Sequence, residues 1–227
     1  MEGNYLCIPG KFQGALFALL AFFLPSFAGE TETRKFRVSV DGKPAGEMNL
    51  IIDKNEDASL TATMETDLKI SSFLFFNYRY SYRGKETWKD GAILRLESVS
   101  NDNGARYSVL ATRDGPGLRI RAGNQERIGR GDAWTTTFWK LPSDPNRRKG
   151  AIPLLDADTG KDVEGNIQFL GQAAVTLAGQ QVNVNRYRLL TRVNTELWFD
   201  GSDRLVRQMW TEDGHKIDME MIHLQRN

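Results

Sequence analysis

Apolar and polar residues alternate along most of this chain, and Asp-Gly or Asn-Gly dipeptides cut the alternation at short intervals. Phe36, Val38 and Val40 alternate up to Asp41-Gly42, and Met48, Leu50 and Ile52 alternate on the way back. Asp90-Gly91, Asn103-Gly104 and Asp114-Gly115 repeat the device. Period-two patterning buries one face of a strand, and Asx-Gly pairs supply the positive φ angles of two-residue hairpin turns. The C-terminal end reads the same way: TELWFD, RLVRQMW and HKIDMEMIHL are strands separated by GSD and TEDG turns. No long stretch keeps a helical period, although a short helix fits within Ala133 to Lys140. The pattern predicts an all-β fold: one antiparallel, strongly curved sheet, or an open or closed β-barrel, built of successive hairpins.

Thr135 to Leu155 interrupts the meander with Pro142, Pro145, Pro153 and the basic run Arg147-Arg148-Lys149, and reads as a long irregular connection. The basic run reads as a solvated loop, with contact to anionic lipid headgroups as the alternative. Strands resume at Val163 to Leu170, Ala174 to Leu177 and Gln181 to Leu190, the last after a turn at Ala178-Gly179. A single domain over residues 29–227 accounts for the whole pattern.

Residues 1–28 stand apart. Lys11 precedes the apolar run ALFALLAFFL, and Ser26-Phe27-Ala28 places small residues just before Gly29. These are the parts of a cleaved export signal, and the run is shorter than the roughly 20 residues a membrane helix needs. The sole cysteine, Cys7, lies ahead of that run, so the chain from Gly29 on has no thiol for a disulfide, a nucleophile or a metal. The implied compartment is the bacterial periplasm or the medium, as a soluble protein with no integral membrane segment after cleavage. A net charge of +1 speaks against a nucleic-acid-binding surface.

Several short patterns, taken together and in order, resemble a known family. They are Phe36-x-Val38-x-x-Asp41-Gly42, Gly46, Tyr78-Arg79-Tyr80, Glu86-x-Trp88, Asp90-Gly91 and Asp102-Asn103-Gly104. Phe138-Trp139, Leu155-Asp156-x-x-Thr159-Gly160, Arg186-Tyr187-x-Leu189 and Leu197-Trp198-Phe199-Asp200 continue the series. The chain resembles secreted bacterial proteins grouped as domain of unknown function 6134, a family that looks related to domain of unknown function 3108. The resemblance implies a β-rich fold similar to the curved half-barrel of lipoprotein-carrier proteins, and it transfers no catalytic residue.

The candidate binding residues lie on one strand. From Leu74 and Phe76, even positions lead to Tyr78, Tyr80 and Tyr82, and the same parity reaches Glu86 and Trp88 if no bulge intervenes at Gly84. Tyrosines pair bulky apolar bodies with polar tips, which suits a partly wet wall. Glu86 on such a face needs partners, either an arginine across the sheet or a ligand whose pocket it anchors. No Gly-x-Ser-x-Gly elbow is present, and His215 and His223 read as structural. Asp156 to Glu164 departs from the calcium-loop order, with Lys161 at the glycine position and Ile167 at the final glutamate, so it reads as a solvated turn. No cofactor or metal is expected.

Two functions compete. One is a non-catalytic binding or carrier module for an apolar, amphipathic or lipid-like ligand on the concave face; the other is a structural or interaction module of an envelope assembly. An enzyme of unknown class ranks third. A groove lined by Tyr and Trp marks the carrier, and a filled interior marks the interaction module.

Overall fold

The computed structural model describes residues 30–71, 77–177 and 179–227. The export signal, Leu74, Phe76 and the Ala178 half of its turn lie outside those residues. Eight strands come first: β1 (Thr31–Val40), β2 (Lys43–Lys54), β3 (Leu60–Ser71), β4 (Asn77–Lys89), β5 (Ala92–Asp102), β6 (Ala105–Asp114), β7 (Gly117–Ala122) and β8 (Gln125–Arg130). Seven follow: β9 (Trp134–Thr135), β10 (Gly150–Leu155), β11 (Asp162–Leu177), β12 (Gln180–Leu190), β13 (Thr195–Asp200), β14 (Leu205–Glu212) and β15 (His215–Arg226).

All fifteen form one curved sheet, ordered from β8 back to β1, then from β15 back to β9. Neighbours are antiparallel except the two-residue pairing of β9 with β10. The β1–β15 ladder, from Glu32↔Arg226 to Val40↔Ile217, therefore joins the first eight strands to the last seven. The sheet curls without closing. Its two ends are β8 and β9, which follow one another in the chain and do not pair with each other.

Turn chemistry explains the meander. Asp90 and Gly91 have φ of 51° and 75°, and Asn103 and Gly104 have 49° and 102°. Positive φ at both central residues matches the right-handed twist of the flanking strands. On β1, Phe36, Val38 and Val40 are buried, and Leu50 and Ile52 on β2 and Leu96 on β5 join them in one core. Each such side chain contributes about 1.5–3 kcal/mol on full burial.

Three expectations are corrected. No helix occupies Ala133 to Lys140; β9 and turns do, and the helical turn among the described residues is a short 3-10 segment at Pro145–Arg148. The segments read as separate strands at Val163 to Leu170 and Ala174 to Leu177 are one strand, kept continuous by a register shift between Phe169 and Gly171. The far end of the irregular connection is also a strand, β10, despite Pro153. β9 reaches only Leu154 and Leu155, so Pro153 faces an uncovered edge where its missing N–H costs no ladder bond.

Candidate functional site

The inner face of β4 carries the residues that spacing singled out. Pairing with β3 runs unbroken from Ser71↔Asn77 to Leu60↔Trp88, so Tyr78, Tyr80, Tyr82, Glu86 and Trp88 share one face. Gly84 stays in register for a reason. A Cβ there would meet the Tyr82 hydroxyl at 2.2 Å, so the Tyr82 ring lies across the glycine.

At one end of this row Glu86 is fully buried. Its Oε2 accepts from Trp88 Nε1 at 2.7 Å, Thr135 Oγ1 at 3.0 Å and Trp139 Nε1 at 3.0 Å. Its Oε1 lies 2.8 Å from Thr137 Oγ1, and the two threonine hydroxyls are themselves 2.8 Å apart. The expected arginine partner is replaced by neutral donors. Each hydroxyl carries one proton, so an ionised Glu86 cannot satisfy all three oxygen–oxygen contacts. A neutral Glu86 can: it donates to Thr137, Thr137 donates to Thr135, and Thr135 donates back to Oε2. Burial pushes the carboxyl up from its ordinary value in the same sense, against the pull of those donors.

The segment that supplies these donors is gripped from its other side. Arg34, 2% exposed, donates from Nη1 to the Trp139 carbonyl at 2.7 Å and from Nε to Glu32 at 2.6 Å. Trp134 packs edge-on against Phe138 at 4.8 Å, and Trp88 against Trp139 at 6.5 Å. Arg148 forks onto Asp203 at 3.0 and 2.7 Å, and Arg147 donates to the Asp132 carbonyl. The basic run is therefore partly structural. Only a small cavity of about 160 Å³ remains here, among Leu60, Trp88, Trp134, Trp139 and Leu141.

At the other end of the row, the Tyr80 hydroxyl meets both Asp158 oxygens at 2.9 and 3.0 Å. Ser98 Oγ donates to the Ala157 carbonyl at 2.5 Å, and Ala157 N donates to Thr136 Oγ1 at 3.0 Å. Asp156 binds the turn together through Asp158 N at 3.0 Å and Thr159 Oγ1 at 2.7 Å. The turn read as solvated instead folds inward, because Asp158 finds a phenol and Ala157 is buried. Burial raises both Asp158 and Tyr80 above their ordinary values. The interior along the β4 row is thus occupied at both ends.

Beside this turn the surface opens into a groove of about 740 Å³. It follows the start of β6, which β7 covers only from Val109 onward. Val99 on the outer face and Tyr107 and Ile120 on the inner face supply apolar surface on either side of that uncovered edge, and Thr159, Gly160 and Lys161 of the inward turn form part of the inner wall. Tyr80 therefore bonds, through Asp158, to the turn that forms this wall. No sequence signal singled out Val99, Tyr107 or Ile120, because the groove arises where strands of unequal length leave an edge uncovered.

Neither histidine lines the groove. His215 Nδ1 is 2.7 Å from Asp41 on an exposed hairpin, and His223 is exposed. Among the described residues no His, Asp or Glu cluster is arranged to hold a metal, and no helix is long and apolar enough to cross a membrane.

A family model described as a domain of unknown function, DUF6134, matches residues 36–222. No curated protein matches the chain. Among solved structures, the β-barrel-like protein of domain of unknown function DUF1849 from Brucella abortus overlays with a TM-score of 0.63 at 10% identity, covering 88% of this chain and 98% of that one. That likeness shows the fold. A putative lipoprotein from Parabacteroides distasonis overlays at 0.33 with 11% identity, covering 87% and 95%, and LprF from Mycobacterium bovis at 0.31 with 11% identity, covering 85% of each. Those two overlays are too loose to carry an argument.

Proposed function

We propose that this chain, which belongs to the DUF6134 family of domains of unknown function, is an exported, non-catalytic binding module for an amphipathic small molecule. The observation that carries the reading is the groove of about 740 Å³ beside the Asp156–Lys161 turn. Small-molecule sites fall in the range of about 300–1,000 Å³ and combine apolar walls with a few polar groups. Val99 and Tyr107 are 55% and 41% exposed, so both offer apolar surface to a molecule in the groove. In this reading Tyr78, Tyr80 and Tyr82 support the site from beneath and do not line it, while Glu86 and Trp88 fix the opposite end. Export rests on Lys11, the apolar run from Ala15 to Leu24 and Ser26-Phe27-Ala28.

The test is titration of the purified protein with a fluorescent fatty-acid probe, beside native mass spectrometry that retains co-purified molecules. Saturable one-to-one binding, weakened at least tenfold by Val99→Trp with melting temperature unchanged, is the expected result. A wild-type protein that neither binds the probe nor carries a co-purified mass contradicts the reading. The interaction-module alternative draws on one observation, the filled interior along the β4 row, and that negative result would favour it.

A further inference from the structure

We infer that the ligand of this groove carries an anionic group, met by Arg106 and Lys161; the inference rests on the binding-module reading. Four cationic side chains line the groove: Arg83, Arg106, Arg127 and Lys161, against the single carboxylate of Asp67. Arg83 is spent on Asp67 at 2.8 Å and Glu65 at 3.4 Å, and Arg127 on Asp162 at 2.6 Å and the Gly160 carbonyl at 2.6 Å.

Arg106 and Lys161 have no such partner among the described residues. The contrast within this part of the sheet is sharp. Arg95, Arg113, Arg119, Arg121, Arg127 and Arg130 each donate to a carboxylate or carbonyl oxygen. Arg106, on strands of the same group, does not.

Lys161 is held at the groove by its backbone, since its carbonyl accepts from Asp156 N at 2.9 Å, which leaves its ammonium uncommitted. Arg106 sits on β6 opposite Asn101, in the part of the strand that β7 leaves uncovered. Arg106 with Val99 on the outer face, and Lys161 with Tyr107 and Ile120 on the inner face, flank the uncovered edge of β6, and together suit a molecule with a carboxylate or phosphate head and an apolar body laid along that edge. Asp67 and its paired Arg83 bring no net charge, so the surplus on the lining is positive.

Binding of probes that share one alkyl chain and differ in head group tests this: a carboxylate, an alkyl phosphate, the alcohol and the amine. They are titrated into wild type, Arg106→Gln, Lys161→Gln and the double variant, with inorganic phosphate and acetate as competitors. Both side chains are exposed, so the variants should melt with the wild type.

The expected result is that anionic probes bind about tenfold or more tighter than the alcohol, that the double variant removes most of that preference, and that added salt weakens it. Alcohol and acid binding equally, with the double variant unchanged, overturns the anionic assignment while the groove remains a binding site. Failure of every probe overturns the groove reading itself. Displacement by inorganic phosphate at the concentration of the alkyl phosphate supports anion recognition and assigns it to a free anion; displacement only by the alkylated form assigns it to a lipid-like head.

Discussion

The two ends of the β4 row solve the same problem with opposite consequences. Each turns a carboxyl group inward and satisfies it with neutral partners. Glu86 meets the Trp88 indole of its own strand, and one indole and two hydroxyls from a segment held by Arg34. Asp158 meets the Tyr80 hydroxyl on a turn whose other side borders an open groove. An inward-facing carboxyl group with neutral partners can therefore weld one end shut and, at the other, brace a wall beside usable space.

Breaking the closed end should produce the largest effect. Glu86→Ala strands the Trp88, Thr135 and Trp139 donors and removes the proton that Thr137 accepts, and each buried donor left unmade costs about 1–3 kcal/mol. A total loss of about 3–5 kcal/mol in urea unfolding is expected, which is a large share of a domain's stability. A loss below about 1 kcal/mol would mean that Glu86 does not hold the segment.

Tyr80→Phe should cost less, about 1–2 kcal/mol, because one hydrogen bond is lost and Asp158 can turn toward solvent. Equal costs for Glu86→Ala and Tyr80→Phe in the same titration would erase the difference between the ends.

Glu86→Gln sharpens the comparison with the smallest perturbation. The amide oxygen can accept from both indoles and Thr135, and the amide nitrogen can donate to Thr137. Burial raises the folded-state value of Glu86 above its ordinary 4.5. The native state then holds a proton that the unfolded state releases, so this group's stabilisation is full below the ordinary value and fades as pH rises through the raised one. The variant lacks that slope. Its stability relative to wild type should rise between acid and neutral pH, measured as the difference between two melting-temperature profiles. A difference that stays flat across that window would show Glu86 ionised in the folded protein.

Much of the sheet was readable from residues alone, since Asx-Gly turns and period-two runs are local. Parity placed Tyr78 through Trp88 on one face because alternation fixes sides. It could not say what occupies that side. Three of the four partners of Glu86 are 49, 51 and 53 residues away, and Asp158 is 78 residues from Tyr80. They lie on segments that proline and acidic content marked as loops. The short β9 and the turns on either side of β10 thus meet the two ends of the β4 row, and no strand pattern encodes that.

The most direct test is one probe titration on three proteins: wild type, Tyr80→Phe and Glu86→Gln, with the fluorescent fatty acid at neutral pH. The account predicts that Tyr80→Phe weakens binding several-fold, by loosening the Asp158 turn, while Glu86→Gln binds as wild type does. Weakening by Glu86→Gln with Tyr80→Phe unchanged would place the ligand at the tryptophan end and contradict the account.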